Sequence, residues 1–152
     1  MNLVKSCPVA KEFFRETEQR LYAFPILVEK LDDDRERLTE LMQEGLSEHS
    51  KCLVRLRRSG TRLSSEEIIE ALTQDLQSNI ARDEYEVGIM ERALQLIQSD
   101  PYYYVVPGKY FERLNDEDVA DKIGCDASTV WRHRKRLIAC LAVRLYGTIA
   151  IH

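Results

Sequence analysis

The chain has 152 residues, of which 44% are hydrophobic and 32% are charged, and its formal net charge at pH 7 is −4. This length is sufficient for one domain or two small ones. The composition is typical of a soluble globular protein, and no apolar run approaches the roughly 20 residues that a membrane-spanning helix requires.

The cysteines and the N-terminus exclude two further classes. The first 14 residues lack the apolar block and the small-residue cleavage site of a signal peptide, so we expect a cytoplasmic protein. The cysteines occur singly and form no metal-ligand cluster with the histidines His49, His133 and His152. We therefore expect reduced thiols packed as small apolar groups, no metal and no cofactor.

The N-terminal region, residues 1–63, is predicted to be a helical interaction region. From about Pro8 to Ala23, residues of one face recur at three- and four-residue steps, and these are Phe13, Phe14, Thr17, Leu21 and Phe24. Pro25 suits the start of a second helix, and Asp34 interrupts the leucine pattern of that helix. The pattern predicts a helical hairpin or coiled-coil-like helices. A basic connection follows at residues 46–63, for which a solvated loop is favoured over phosphate contact.

A long central helix is predicted over residues 64–98. Ser64 and Glu67 have the spacing of a capping box. An apolar stripe follows with a period near 3.6, formed by Ile69, Leu72, Leu76, Ile80, Val87, Met90, Leu94 and Ile97. A rod of roughly 50 Å is too long for one small globule to cover. Either the helix breaks near residues 79–83, or another helix or a second chain covers the stripe, which leaves a homodimer open.

The segment SDPYYYVVPGKYFERL, residues 99–114, has the local composition of a strand and a turn. A helical interpretation is stronger, because Asp100 can cap a helix and Pro101 suits its first position. We expect a short helix that is kinked or split near Pro107 and Gly108 and packs its aromatic face beneath the residues that follow.

The segment from Asp116 to Gly147 has the spacing of a helix-turn-helix. Such a unit needs a small residue where the helices cross, a glycine in the turn, and an apolar residue on the buried face of the second helix. Ala120, Gly124 and Val130 meet these needs, and Val119 and Ile123 complete the buried face. Asp126 is placed to cap the second helix. Residues 99–152 are thus predicted to be a DNA-binding domain.

The predicted outer face of the second helix carries groups that bind nucleic acid. From Ala127 onward the chain has five basic residues and no acidic one. Ser128, Thr129 and Arg132 are candidates for reading base edges, and Trp131 meets a thymine methyl group or packs on the protein. The residues Arg134, Lys135 and Arg136 are expected to hold the DNA backbone. His133 occupies a position that is usually apolar, and it is either partly buried or directed to phosphate.

The residues from about Met90 to Gly147 include ERALQLI, KYFE and DEDVADKIGCDASTVWRHRKRLIACLAVRLYG, and they resemble region 4 of bacterial sigma factors. The chain is most similar to the RinA/ArpU-like group of phage regulators, which is associated with late, packaging and lysis genes. The resemblance implies a sequence-specific transcription regulator in the bacterial cytoplasm that contacts promoter DNA and RNA polymerase. It places the promoter-reading surface on Ala127, Ser128, Thr129, Trp131 and Arg132.

Three alternatives bear on this interpretation. An enzyme is not expected, because the chain has no glycine-rich phosphate loop, no paired histidines and no cysteine with a nearby base. A small sigma-like factor is one alternative function. The other is a helical anti-sigma or polymerase-binding protein without DNA specificity. Overall, the sequence predicts an all-α protein with N-terminal helices, a long central helix and a C-terminal helix-turn-helix.

Overall fold

The computed structural model describes residues 8–44 and 64–151, and within these ranges it contains five α-helices and no extended sheet. The helices are α1 (Lys11–Glu44), α2 (Ser65–Ile97), α3 (Val105–Tyr110), α4 (Asp116–Ile123) and α5 (Ala127–Tyr146), and a 3₁₀ helix follows at Gly147–Ala150. The predicted all-α class is confirmed. The predicted connection at residues 46–63 lies outside the described residues.

The first helix does not end at Pro25. It is one helix of 34 residues that contains Pro25 in its interior, so the predicted start of a second helix at Pro25 is wrong. A proline inside a helix removes one backbone hydrogen bond and costs about 3 kcal/mol. Leu21 and Leu31, which lie on either side of it, are both buried. Because breaking the helix would expose such apolar side chains, tertiary packing offsets the local preference of the proline.

The second helix begins as its sequence predicts. The backbone N–H of Ser64 donates to Glu67 Oε2 at 2.9 Å, and the backbone N–H of Glu67 donates to Ser64 Oγ at 3.2 Å. This reciprocal pair is the predicted capping box. The helix then continues for 33 residues without a break near residues 79–83.

The described chain divides into two compact units, one formed by Met1–Ile26 with Val87–His152 and the other by Leu27–Glu86. These units do not follow the predicted segments 1–63, 64–98 and 99–152, because α1 and α2 each contribute residues to both. In the first unit, Leu21 of α1 lies in one buried cluster with Met90 and Leu94 of α2. An intrachain helix thus covers this part of the stripe, as one of the predicted alternatives requires.

In the second unit, a polar network replaces apolar contacts at one level of the helices. Lys30 Nζ lies 2.7 Å from Asp34 Oδ2 and 2.6 Å from Asp83 Oδ2. Asp83 is buried, and the hydrogen bond that it accepts from Lys30 holds the pKa of its carboxyl group below its ordinary value. The network explains why Asp34 interrupts the leucine pattern of α1, since its carboxylate shares the ammonium group with Asp83.

The core of the first unit lies around Tyr110. This side chain is fully buried with Leu137, Ile138 and Leu141 of α5, and its hydroxyl donates to Glu18 Oε1 at 2.6 Å. Burial raises the pKa of the Tyr110 hydroxyl, with a smaller contribution from the Glu18 carboxylate. The two ends of this unit are also joined, because the backbone N–H of Ala10 donates to the carbonyl of Ala150 at 3.0 Å. Helix α5 therefore shares this core with α1, α2 and α3.

The tyrosine-rich segment contains the predicted short helix, but a turn comes first and the helix begins later than the predicted Pro101. Residues 101–104 form turns, and α3 begins only at Val105. Pro107 is therefore the third residue of α3, where a helix has no carbonyl partner for an N–H. The helix continues through Pro107 and Gly108 as one element, so the predicted split is absent. Asp100 accepts from the backbone N–H of Tyr102 at 2.9 Å, which is a cap-type hydrogen bond, but it closes the turn at residues 101–104 and not the start of α3. Gly108 is buried, and a Cβ atom at this position would lie only 3.1 Å from Val119 Cγ2. The absence of a side chain therefore permits the close approach of α3 and α4.

Candidate nucleic-acid interface

Helices α4 and α5 are joined by a short turn at Gly124, at the positions where the spacing predicts a helix-turn-helix. Gly124 ends α4 in the left-handed conformation, with φ 73° and ψ 41°, and its N–H donates to the carbonyl of Ala120. Val119, Ala120 and Val130 are buried in one cluster with Val105 of α3. Ile123 is partly buried and packs against the same cluster. The five residues that we assigned to the structure of this unit thus lie where they hold α4 and α5 together.

Gly124 gives a direct test of the turn. No atom lies within 4 Å of the position that its Cβ would occupy, so only backbone strain opposes a side chain there. We expect Gly124→Ala to lower the free energy of unfolding by about 1 to 2 kcal/mol, because residues with a Cβ atom disfavour the left-handed region. Gly124→Asn should cost less, because asparagine tolerates this conformation. Urea unfolding of both variants measures the difference, and equal losses would contradict a conformational role.

Both helices of this unit begin at a polar cap residue. Asn115, which the sequence analysis did not single out, caps α4 by accepting from the backbone N–H of Asp118 at 2.8 Å. The sequence did indicate this cap, because asparagine is common immediately before a helix. Asp126 occupies the predicted cap position of α5, but its carboxylate accepts from the hydroxyls of Ser128 and Thr129 instead of a backbone N–H. These hydrogen bonds, that of Thr129 first, lower the pKa of Asp126.

Four predicted DNA-binding residues share one exposed side of α5, which we call the α5 outer face. They are Ser128, Trp131, Arg132 and Lys135. Their spacing of three, four and seven residues places them on adjacent turns of one helix surface. The indole of Trp131 is 52% exposed, and Lys135 Nζ lies 5.2 Å from its ring centroid. Ala127 and Thr129 are half-buried beside this face.

Arg134 and Arg136 were predicted to contact the DNA backbone. In the structure, each of them contacts a carboxylate of the protein. Arg136 donates to both carboxylate oxygens of Asp100, at 2.7 and 2.9 Å. Arg134 pairs with Asp116, the first residue of α4. The exposed fractions of the two arginine side chains are only 20% and 12%. Both guanidinium groups therefore already have a carboxylate partner within the protein, and their assignment to DNA backbone contact stays a prediction.

His133 is partly buried, which is one of the two predicted outcomes. Its ring stacks on Tyr102, with centroids 3.5 Å apart and an angle of 6° between the planes. Its Nδ1 atom lies 3.3 Å from Arg136 Nε, which is a donor. Burial lowers the pKa of His133, and the positive charges of Arg136 and Arg132 lower it further, whereas Asp100 raises it. The neutral imidazole is therefore the form that this environment favours.

Acidification should destabilise the fold through His133. Because its folded pKa lies below the ordinary 6.5, the unfolded chain takes up the proton first as the pH falls through 6.5, and stability is lost down to the folded pKa. Asp100 adds a second loss below pH 3.8, because Arg136 lowers its folded pKa. Urea unfolding at several pH values measures both. His133→Phe, which retains the stack, should flatten the first loss, and an unchanged profile would assign that loss elsewhere.

Within the described ranges, no group of three or more His, Cys, Asp or Glu residues is arranged to hold a metal ion. No helix among these residues is both long enough and apolar enough to cross a bilayer. Comparisons with family models, curated proteins and solved structures found no match to this chain.

Proposed function

We propose that this protein is a sequence-specific DNA-binding transcription regulator that acts with bacterial RNA polymerase on phage or prophage late genes. The observation that carries the proposal is the exposed α5 outer face on a helix-turn-helix whose turn is a left-handed Gly124. The resemblance to sigma region 4 and the RinA/ArpU-like group is the reason for proposing RNA polymerase as a partner and late genes as the target.

The chemistry of the α5 outer face suits the major groove, which is about 12 Å wide and admits an α-helix. The guanidinium group of Arg132 can donate two hydrogen bonds to guanine O6 and N7. No described carboxylate pairs with Arg132 or Lys135, so both charges are available to DNA. Trp131 offers apolar surface to a thymine methyl group or a sugar, and Lys135 is placed for phosphate.

Selection from random double-stranded oligonucleotides tests the proposal. We expect the full chain to select a consensus and to retain it against random competitor DNA. The affinity should fall as the salt concentration rises, because phosphate contacts release counterions. Recovery of no consensus would contradict sequence-specific binding. Co-purification of bacterial RNA polymerase with the chain on the selected site then tests the polymerase contact.

One observation favours a second candidate, a polymerase-binding or anti-sigma protein without DNA specificity. Helix α4 exposes Glu117, Asp118 and Asp121, and an acidic surface of this kind repels phosphate and attracts a basic protein surface. Under this alternative the chain binds polymerase in the absence of DNA and selects no sequence. A small sigma-like factor would instead bind promoter DNA only together with core polymerase.

From Leu76 onward, the apolar stripe of α2 is buried within the single chain and is not exposed for a homodimer interface. Leu76, Ile80, Val87, Met90 and Leu94 are all buried in the single chain. We therefore expect a monomer in sedimentation at tens of micromolar, and a dimer would have to use a surface outside this part of the stripe.

A further inference from the structure

Two aspartates from outside α5 neutralise two of its arginines. Asp100 lies in the turn region before α3, and Asp116 is the first residue of α4. Asp100 binds Arg136 with both carboxylate oxygens, and one of these oxygens also accepts from the N–H of Tyr102, which holds the carboxylate in place. Because planar guanidinium and carboxylate groups match in this geometry, the pair is a strong and directional contact.

We infer that Asp100 and Asp116 are positioning residues that withhold Arg136 and Arg134 from DNA phosphate, so that Arg132 and Lys135 supply the DNA-contacting charge of the α5 outer face. This inference rests on the proposed DNA binding. Its physical basis is that an arginine already paired with a carboxylate gains little by exchanging that partner for a phosphate. It gives Asp100 a function in binding that its position in the tyrosine-rich segment does not suggest.

The consequence concerns affinity for DNA of any sequence. Each phosphate that the protein neutralises adds about 0.9 to the slope of log affinity against log salt concentration. Two withheld arginines therefore remove two such contacts. The chain should bind random DNA weakly, while the base contacts of Arg132 and Ser128 are unaffected.

Salt-dependent binding of wild-type and variant chains to one duplex tests the inference. In Asp100→Asn, Arg136 is released, so the slope should steepen by about 0.9 and the affinity at 0.1 M salt should rise about five- to tenfold. In the double variant Asp100→Asn/Arg136→Gln, both partners are neutral and no buried charge is left unpaired. Its slope should equal that of the wild-type chain. Circular dichroism at each salt concentration verifies that the variants are folded.

Lys135→Ala is the matched control, because an exposed cation on the same helix should lower the slope by about 0.9. If the double variant lowers the slope as Lys135→Ala does, Arg136 already contacts phosphate and the inference is overturned. An unchanged slope in folded Asp100→Asn overturns it as well. If the wild-type chain binds no DNA, both the proposed function and the inference fail, whereas normal wild-type binding with either contrary variant result overturns the inference alone.

Discussion

Tyr110→Ala is expected to lower the free energy of unfolding by about 3 to 5 kcal/mol, the range measured when buried aromatic side chains are truncated. The ring is fully buried, and it contacts Tyr22 edge to face with centroids 4.8 Å apart. Its removal leaves a cavity where α3 and α5 meet in the core of the first unit. Urea unfolding measures the loss, and a value under 1 kcal/mol would contradict the central position of Tyr110 in the core.

Tyr110→Phe is the matched control, because it retains the ring and removes only the hydroxyl that donates to Glu18. We expect a loss of about 1 kcal/mol, since Glu18 is only partly buried and water can replace the donor. A loss as large as that of Tyr110→Ala would show that the hydrogen bond, and not the packed ring, stabilises this core.

Arg132→Ala is expected to weaken binding to the selected DNA site by about 1 to 3 kcal/mol, which is about 5- to 150-fold. The guanidinium group is exposed on the α5 outer face, where a bidentate contact with guanine would be lost. Binding to the selected site and to its single-base variants, measured at one salt concentration, should show relaxed preference at one base position.

Lys135→Ala is again the control, because it should weaken binding to all sequences alike. The two substitutions remove one positive charge each from the same helix face, so a difference between them cannot come from net charge. If Arg132→Ala weakened all sequences equally and kept the base preference, Arg132 would be a phosphate contact and another residue would read the sequence.

Local spacing predicted much of the fold and part of the candidate site. The capping box of Ser64 and Glu67 is a contact over three residues, and the structure forms it. Ala120, Gly124 and Val130 form a pattern that spans a separation of ten residues. Gly124 lies in the turn, and Ala120 and Val130 are buried in one cluster, as that pattern requires. Such features follow from the geometry of one or two helical turns, so neighbouring residues suffice to predict them.

The features that the sequence did not predict depend on residues that are distant along the chain. Pro25 indicated a new helix, but the burial of apolar side chains on both sides keeps α1 continuous. His133 stacks on Tyr102, which precedes it by 31 residues, and no local pattern indicates this contact. Arg136 likewise pairs with Asp100, 36 residues earlier.

By itself, the sequence determined the all-α class, the start of α2, and the turn and buried face of the helix-turn-helix, because each depends on periodicity or on a conformation that glycine favours. Only the tertiary structure decided which cations of α5 pair with a carboxylate and which do not. From Ala127 onward the chain contains no acidic residue, yet the fold brings Asp100 and Asp116 to two of its arginines. Charge pairing depends on distance in space, and the sequence states only distance along the chain.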